Sequence, residues 1–165
     1  PTDKGKTVSQ IRSENELFLA EIIFSDILND LTPAELASVI CAVTTEDMRA
    51  EMYSGLPLSQ KVRKTLNKIK DVRRRVDKVQ NENNIDDAMY INSFYCALIE
   101  MWSNGAEWDD IIDQVEMGEG DVVRCFKRVI DVLRQLTTID NVPEAVVYTA
   151  RDAIDSIQRE PIDLD

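Results

Sequence analysis

Arg124, Lys127 and Arg128 stand at spacings of three and four residues, which on a helix puts all three on one flank, beside an apolar face of Val122, Val123, Phe126, Val129, Ile130, Leu133 and Leu136. The chemistry open to that stripe is electrostatic. It can meet an anion, or it can be a solvated flank with Arg128 paired to Asp131 or Arg124 to Asp121. A second basic feature lies upstream, where Lys61, Arg63, Lys64, Lys68, Lys70, Arg73, Arg74, Arg75 and Lys78 face only Asp71 and Asp77. That segment is net +7 in a chain of net charge −12, so the remainder carries −19. Such asymmetry reads either as a functional surface or as internal pairing.

Covalent and acid–base chemistry is poorly supplied. With no histidine, His general bases, Ser-His and Cys-His nucleophile pairs and His-ligated metals are excluded. The carboxylate pairs Asp109-Asp110, Glu46-Asp47 and Asp86-Asp87 are adjacent in sequence, so on a helix they point in different directions and read as caps and solvated faces. Gly5-Lys6-Thr7 looks like the tail of a phosphate loop but follows no buried strand, and Gly118-Glu119-Gly120 lacks the strand and third glycine of a dinucleotide fingerprint. No catalytic or metal site is expected. Cys41, Cys96 and Cys125 are odd in number and set in apolar runs, the pattern of small buried hydrophobes in a reducing compartment. The acidic balance disfavours uniform attraction to phosphate backbones or anionic membranes, so any nucleic-acid contact must be local. The longest uncharged stretch, 88–99, is too short and polar to span a bilayer, and the expectation is a soluble protein with no membrane partner.

The elements that must position these residues are helical. Five Gly and five Pro in 165 residues leave few breaks, and apolar residues recur at helical spacing. The expectation is an all-α compact bundle of about seven helices, one of them long and basic. A polar lead (1–12) precedes a domain over 13–160 and a tail at 161–165. Ser13 and Glu16 form a capping box for a helix whose face is Leu17, Ala20, Phe24, Ile27 and Leu28, ending near Asn29-Asp30. Thr32-Pro33 caps a short central helix bearing Leu36, Ala37, Ile40 and Val43. Residues 44–57 read as a loop. Ser59 caps the basic rod, whose seam is Val62, Leu66, Ile69, Val72, Val76 and Val79. A helix from Asp86 or Asp87 carries Ile91, Phe94, Tyr95, Leu98, Ile99 and Trp102, should be the most buried of the set, and ends in a left-handed cap at Asn104-Gly105. A short helix around Trp108, the helix 121–136, and a last helix opened by Pro143 and stopped by Pro161 complete the bundle.

Three segments carry a family resemblance: Leu31-Thr32-Pro33-Ala34-Glu35-Leu36-Ala37, then Trp102-Ser103-Asn104-Gly105-Ala106-Glu107-Trp108, then Glu119-Gly120-Asp121-Val122-Val123-Arg124 continuing through Arg128 to Leu136. Together, over roughly 17–136, they resemble the C-terminal helical domain, DSHCT, of the DExH-box RNA helicases related to the superkiller and exosome-associated enzymes. The resemblance implies a helical bundle packed on the helicase motor core. The helix matching 121–136 would act as a ratchet beside the exit path of single-stranded RNA. It puts Arg124 and Arg128 on the strand, with Lys127 in the same stripe and Glu46 facing the same channel; arginine suits this, since its guanidinium grips phosphate bidentately and stacks on bases. Trp102, Gly105 and Trp108 carry structure. The DExH box and phosphate loop are absent, so ATP and Mg are expected only in the motor of a longer parent, an ATP-dependent RNA helicase active in RNA processing. The chain opens at Pro1 without methionine, which also suggests a piece of a longer protein. The 51–57 connection and basic rod look like the plant-plastid and cyanobacterial branch, implying the chloroplast, otherwise the nucleus or cytoplasm. The competing expectation is a protein-interaction module that docks an acidic partner through the basic helix 59–80.

Overall fold

The computed structural model describes residues 16–44, 58–80, 93–115 and 118–162. Among them are seven helices and no strand: α1 (Glu16–Phe24), α2 (Pro33–Thr44), α3 (Gln60–Gln80), α4 (Ser93–Ser103), α5 (Trp108–Ile112), α6 (Glu119–Thr138) and α7 (Glu144–Ile157). The all-α class follows from the spacing of the apolar residues, and one continuous core runs from Ala20 to Ile162.

α2 is the hub. Thr32 Oγ1 accepts from the Glu35 amide at 3.2 Å while the Glu35 carboxylate accepts from the Thr32 amide at 2.9 Å, so two orphan amides of the helix start are satisfied reciprocally. Beyond this capping box every residue from Leu36 to Val43 is buried, because α3, α4, α6 and α7 all pack around α2. The helix expected to be the most buried, α4, is closed over 94–99 and at Trp102, so α2 matches or exceeds it. Small residues explain this. Ala37, Ser38, Cys41 and Ala42 let neighbouring helices approach closely, and the hydroxyl of Ser38 donates to the Cys96 carbonyl of α4 at 2.8 Å.

Three boundaries differ from expectation. α1 ends at Phe24 rather than near residue 30, because Asp26 and Asp30 take left-handed φ of 57° and 65° and turn the chain. Phe24 is consequently 37% exposed, while Ile22 and Ile23 are buried. α6 begins two residues before Asp121, and α7 ends at Ile157, ahead of Pro161. Ile162 is fully buried against the core. In α3 the expected seam holds at Val62, Leu66, Ile69 and Val72, and Ser59 Oγ accepts from the Val62 amide at 3.4 Å as its cap. The Ser13 cap, the 45–57 loop and the start proposed at Asp86 or Asp87 lie outside the described residues.

Candidate nucleic-acid interface

The W-x-x-G-x-x-W turn sets the start of α6. At the end of α4 the Ala106 amide donates to the Met101 carbonyl at 3.1 Å and the Gly105 amide to the Trp102 carbonyl at 3.0 Å, a Schellman closure. It requires the φ of 104° found at Gly105, a value side-chain-bearing residues rarely adopt. The turn brings Trp108 edge-on to Trp102, with centroids 5.3 Å apart, and Trp108 in turn meets Phe126 of α6 at 6.2 Å. Trp108 Nε1 donates to Glu119 Oε1 at 2.6 Å, tying the first residue of α6 to the same cluster. Glu119 and Asp121 also complement the positive end of the helix dipole.

With its start held, α6 turns Val122, Cys125, Phe126, Val129, Ile130, Val132, Leu133 and Leu136 into the core, and Arg124 and Arg128 are left exposed one turn apart. Arg124 is bonded to Asp121, as the solvated-flank reading has it, and its side chain is 72% exposed. Arg128 behaves differently. Asp131 pairs with Arg134 at 4.0 Å, not with Arg128. Arg128 Nη1 instead donates to the carbonyl of Thr44, the last residue of α2, at 3.3 Å. Unsatisfied carbonyls and the negative end of the dipole collect there, so a guanidinium is held by partial charge while most of its five N–H donors stay available. Lys127 is half-buried at the edge of the stripe and forms no ion pair among the described residues. Val123, expected inside, is partly buried beside it. Glu46 lies outside the described residues. Beneath Arg128 the thiols of Cys125 and Cys41 touch at 3.6 Å across α6 and α2. The Cys125 thiol is pushed well above its ordinary range, first by its bond to Cys41 and then by burial, with Arg128 pulling slightly the other way.

Of the basic rod, Lys61, Arg63, Lys64, Lys68, Arg74 and Arg75 are exposed and Lys70 is half-buried, while the side chains of Arg73 and Lys78 lie outside the described set. Arg74 pairs with Asp71 at 3.6 Å. Among the described residues Lys61, Arg63, Lys64, Lys68 and Arg75 form no ion pair. Also among the described residues, no group of three or more acidic or thiol side chains is gathered where a metal could sit, and no helix is long and apolar enough to cross a membrane.

Residue types alone missed Arg159. Its guanidinium lies 3.5 Å from the Trp102 ring centroid and donates to the carbonyls of Trp102 at 2.5 Å, Ala106 at 3.1 Å and Ser156 at 3.2 Å. Trp102 Nε1 donates back to the Ile157 carbonyl at 2.8 Å. A basic residue just after a helix, ahead of a proline, was the available signal.

The fold is thus a helical bundle whose tryptophan–glycine turn orients a basic-flanked helix. The chain matches the DSHCT (NUC185) domain over residues 1–165 and belongs to that family. It is 28% identical over 162 residues to the chloroplastic DExH-box ATP-dependent RNA helicase DExH15 of Arabidopsis thaliana, covering 96% of this chain and 14% of that protein. It is 30% identical over 139 residues to the ATP-dependent RNA helicase mtr4 of Schizosaccharomyces pombe, covering 81% of this chain and 12% of the relative. The human exosome RNA helicase MTR4 is 28% identical over 138 residues, again 81% of this chain and 13% of the relative. The chain thus spans 12 to 14% of these relatives' length.

Proposed function

We propose that this domain packs on the motor of an ATP-dependent RNA helicase and guides the unwound single strand along the exposed flank of α6. ATP and Mg belong to the motor in this reading, and no residue of this chain is assigned to them. One observation carries it above the others: Arg128 is anchored to a helix-end carbonyl rather than to a carboxylate, which leaves its charge uncompensated and its position set before any strand arrives. Arg124 adds a second cation one turn earlier, because an exposed i,i+3 pair with Asp121 is weak enough to yield to a phosphate. Lys127 contributes charge at the margin, and Glu46, two residues beyond Thr44, is proposed to border the same path. The match over 96% of the chain to an RNA helicase named chloroplastic supports an organellar parent.

The test is the double substitution Arg124→Ala, Arg128→Ala in the full helicase. Phosphate or stacking contacts worth about 1–3 kcal/mol each are removed while the helix persists, alanine being a better helix former. Unwinding should fall further than RNA-independent ATP hydrolysis. Normal unwinding by a folded double variant refutes the guiding role.

A further inference from the structure

α3 carries Lys61, Lys64, Lys68 and Arg75 at intervals of three, four and seven residues, a spacing that keeps all four on one flank of a helix. All four are exposed. At 1.5 Å of rise per residue the row is about 21 Å long. The helix cannot roll, because Val62, Thr65, Leu66, Ile69 and Val72 are buried along the face that borders the row and the capping Ser59 is tied to Glu100 of α4 at 2.9 Å. Among the described residues none of the four cations forms an ion pair, although the chain as a whole has a net charge of −12. The acidic Asp71 beside the row is engaged with Arg74.

We propose that this row docks the phosphate backbone of double-stranded RNA, separately from the α6 flank. The inference takes from the proposed function only that RNA is the polyanion at hand; it does not depend on Arg124 or Arg128. Three of the four groups are lysines, point charges suited to phosphate without base readout. The helix 60–80 contains no aromatic residue and so offers no platform on which unpaired bases could stack. A single strand would therefore be ordered along the row without stacking in return, whereas a duplex presents phosphates already in line. Charge set against an acidic body makes the contact local and salt-sensitive.

The experiment measures anisotropy of a labelled blunt-ended RNA duplex, and of an unstructured single strand of equal length, with the 165-residue chain across a salt series. The variants are Lys61→Gln/Lys64→Gln/Lys68→Gln/Arg75→Gln and Arg124→Gln/Arg128→Gln, each with circular dichroism matched to the parent. The quadruple variant should bind the duplex about tenfold or more weakly at low salt and lower the slope of log affinity against log salt by up to about 3.6, at ~0.9 per neutralised phosphate. The arginine variant should weaken duplex binding far less than the quadruple variant does. Lys64→Gln/Lys68→Gln should lose about half of the slope change and serves if the quadruple variant misfolds. Unchanged duplex affinity in the folded quadruple variant overturns the proposal, and so does a parent chain that ignores the duplex but binds an oligoglutamate peptide through the same four residues. Loss of single-strand binding in the arginine variant bears on α6 alone, so the two readings fail separately.

Discussion

Replacing Arg159 by alanine tests whether the tryptophan–glycine turn is held from outside as well as by its own cap. The wild-type side chain makes three charge-assisted hydrogen bonds to the carbonyls of Trp102, Ala106 and Ser156 and stacks on Trp102. A hydrogen bond to a charged group contributes about 1.5–3 kcal/mol, and a stack at a half-exposed site about 0.5–1 kcal/mol. These do not add in full. The arginine loses on the order of 2 kcal/mol of rotamer freedom, and the Trp102 carbonyl keeps the Gly105 amide at 3.0 Å when the guanidinium is gone. The expected net loss is roughly 2–3 kcal/mol, read as a lower urea midpoint at unchanged m and a Tm lower by about 5–10 °C for a domain of this size. Arg159→Lys keeps the charge but not the fork and should fall between. Arg151→Ala is the control, since that guanidinium only overlies the exposed Tyr148 at 5.9 Å, and it should cost at most about 0.5 kcal/mol. An Arg159→Ala variant as stable as Arg151→Ala refutes the bracing role.

The Glu100 carboxyl is raised above the ordinary carboxylate range, foremost by burial, with the Ser59 hydroxyl pulling it partly back and Glu35 pushing it further up. Folded protein therefore holds this proton to a higher pH than unfolded chain does. Its contribution to stability is complete below the unfolded carboxylate range and is lost as pH rises through the folded value, so Glu100→Gln should raise the Tm at neutral pH and leave it unchanged in acid. Native Cys41, Cys96 and Cys125 are buried, and Cys125 is held as the thiol; iodoacetamide followed by mass spectrometry should find all three unmodified until urea unfolds the chain, and rapid labelling of folded protein contradicts the packing. Trp108→Phe keeps the edge-on contacts but drops the bond to Glu119, so the urea midpoint should register a loss of about 1 kcal/mol, whereas Trp108→Ala should cost clearly more.

Local signals were legible and distant ones were not. The Thr32 cap, the left-handed closure at Gly105 and the α3 seam each follow from a residue type acting within a few positions of itself. The exposure of Phe24 did not, because apolar periodicity continued to Leu28 while the backbone turned at Asp26. Arg128 was legible as a cation on a flank, but its partner is a main-chain carbonyl 84 residues away, and a carbonyl carries no mark in the sequence. The same holds for Arg159, whose acceptors on Trp102 and Ala106 lie 57 and 53 residues back. Pairing rules for helices pointed Arg128 at Asp131, yet Asp131 turned to Arg134, as a near-even choice between two exposed partners allows.

On α6 the groups that set position and the groups free to bind are different groups. Position comes from the interior: the Trp102–Trp108–Phe126 cluster and the Glu119 bond at the helix start, then the Cys125 contact with Cys41 one turn on. In the proposed reading, binding falls to the outer flank, where Arg124 would exchange one exposed carboxylate and Arg128 commits one N–H to Thr44. A strand meeting that flank would find its cations already placed, so little ordering free energy is spent at the moment of contact. Polar substitutions on the flank should then alter RNA contact with little effect on unfolding, while changes at Trp102, Gly105 or Trp108 should disturb the flank only by way of the fold.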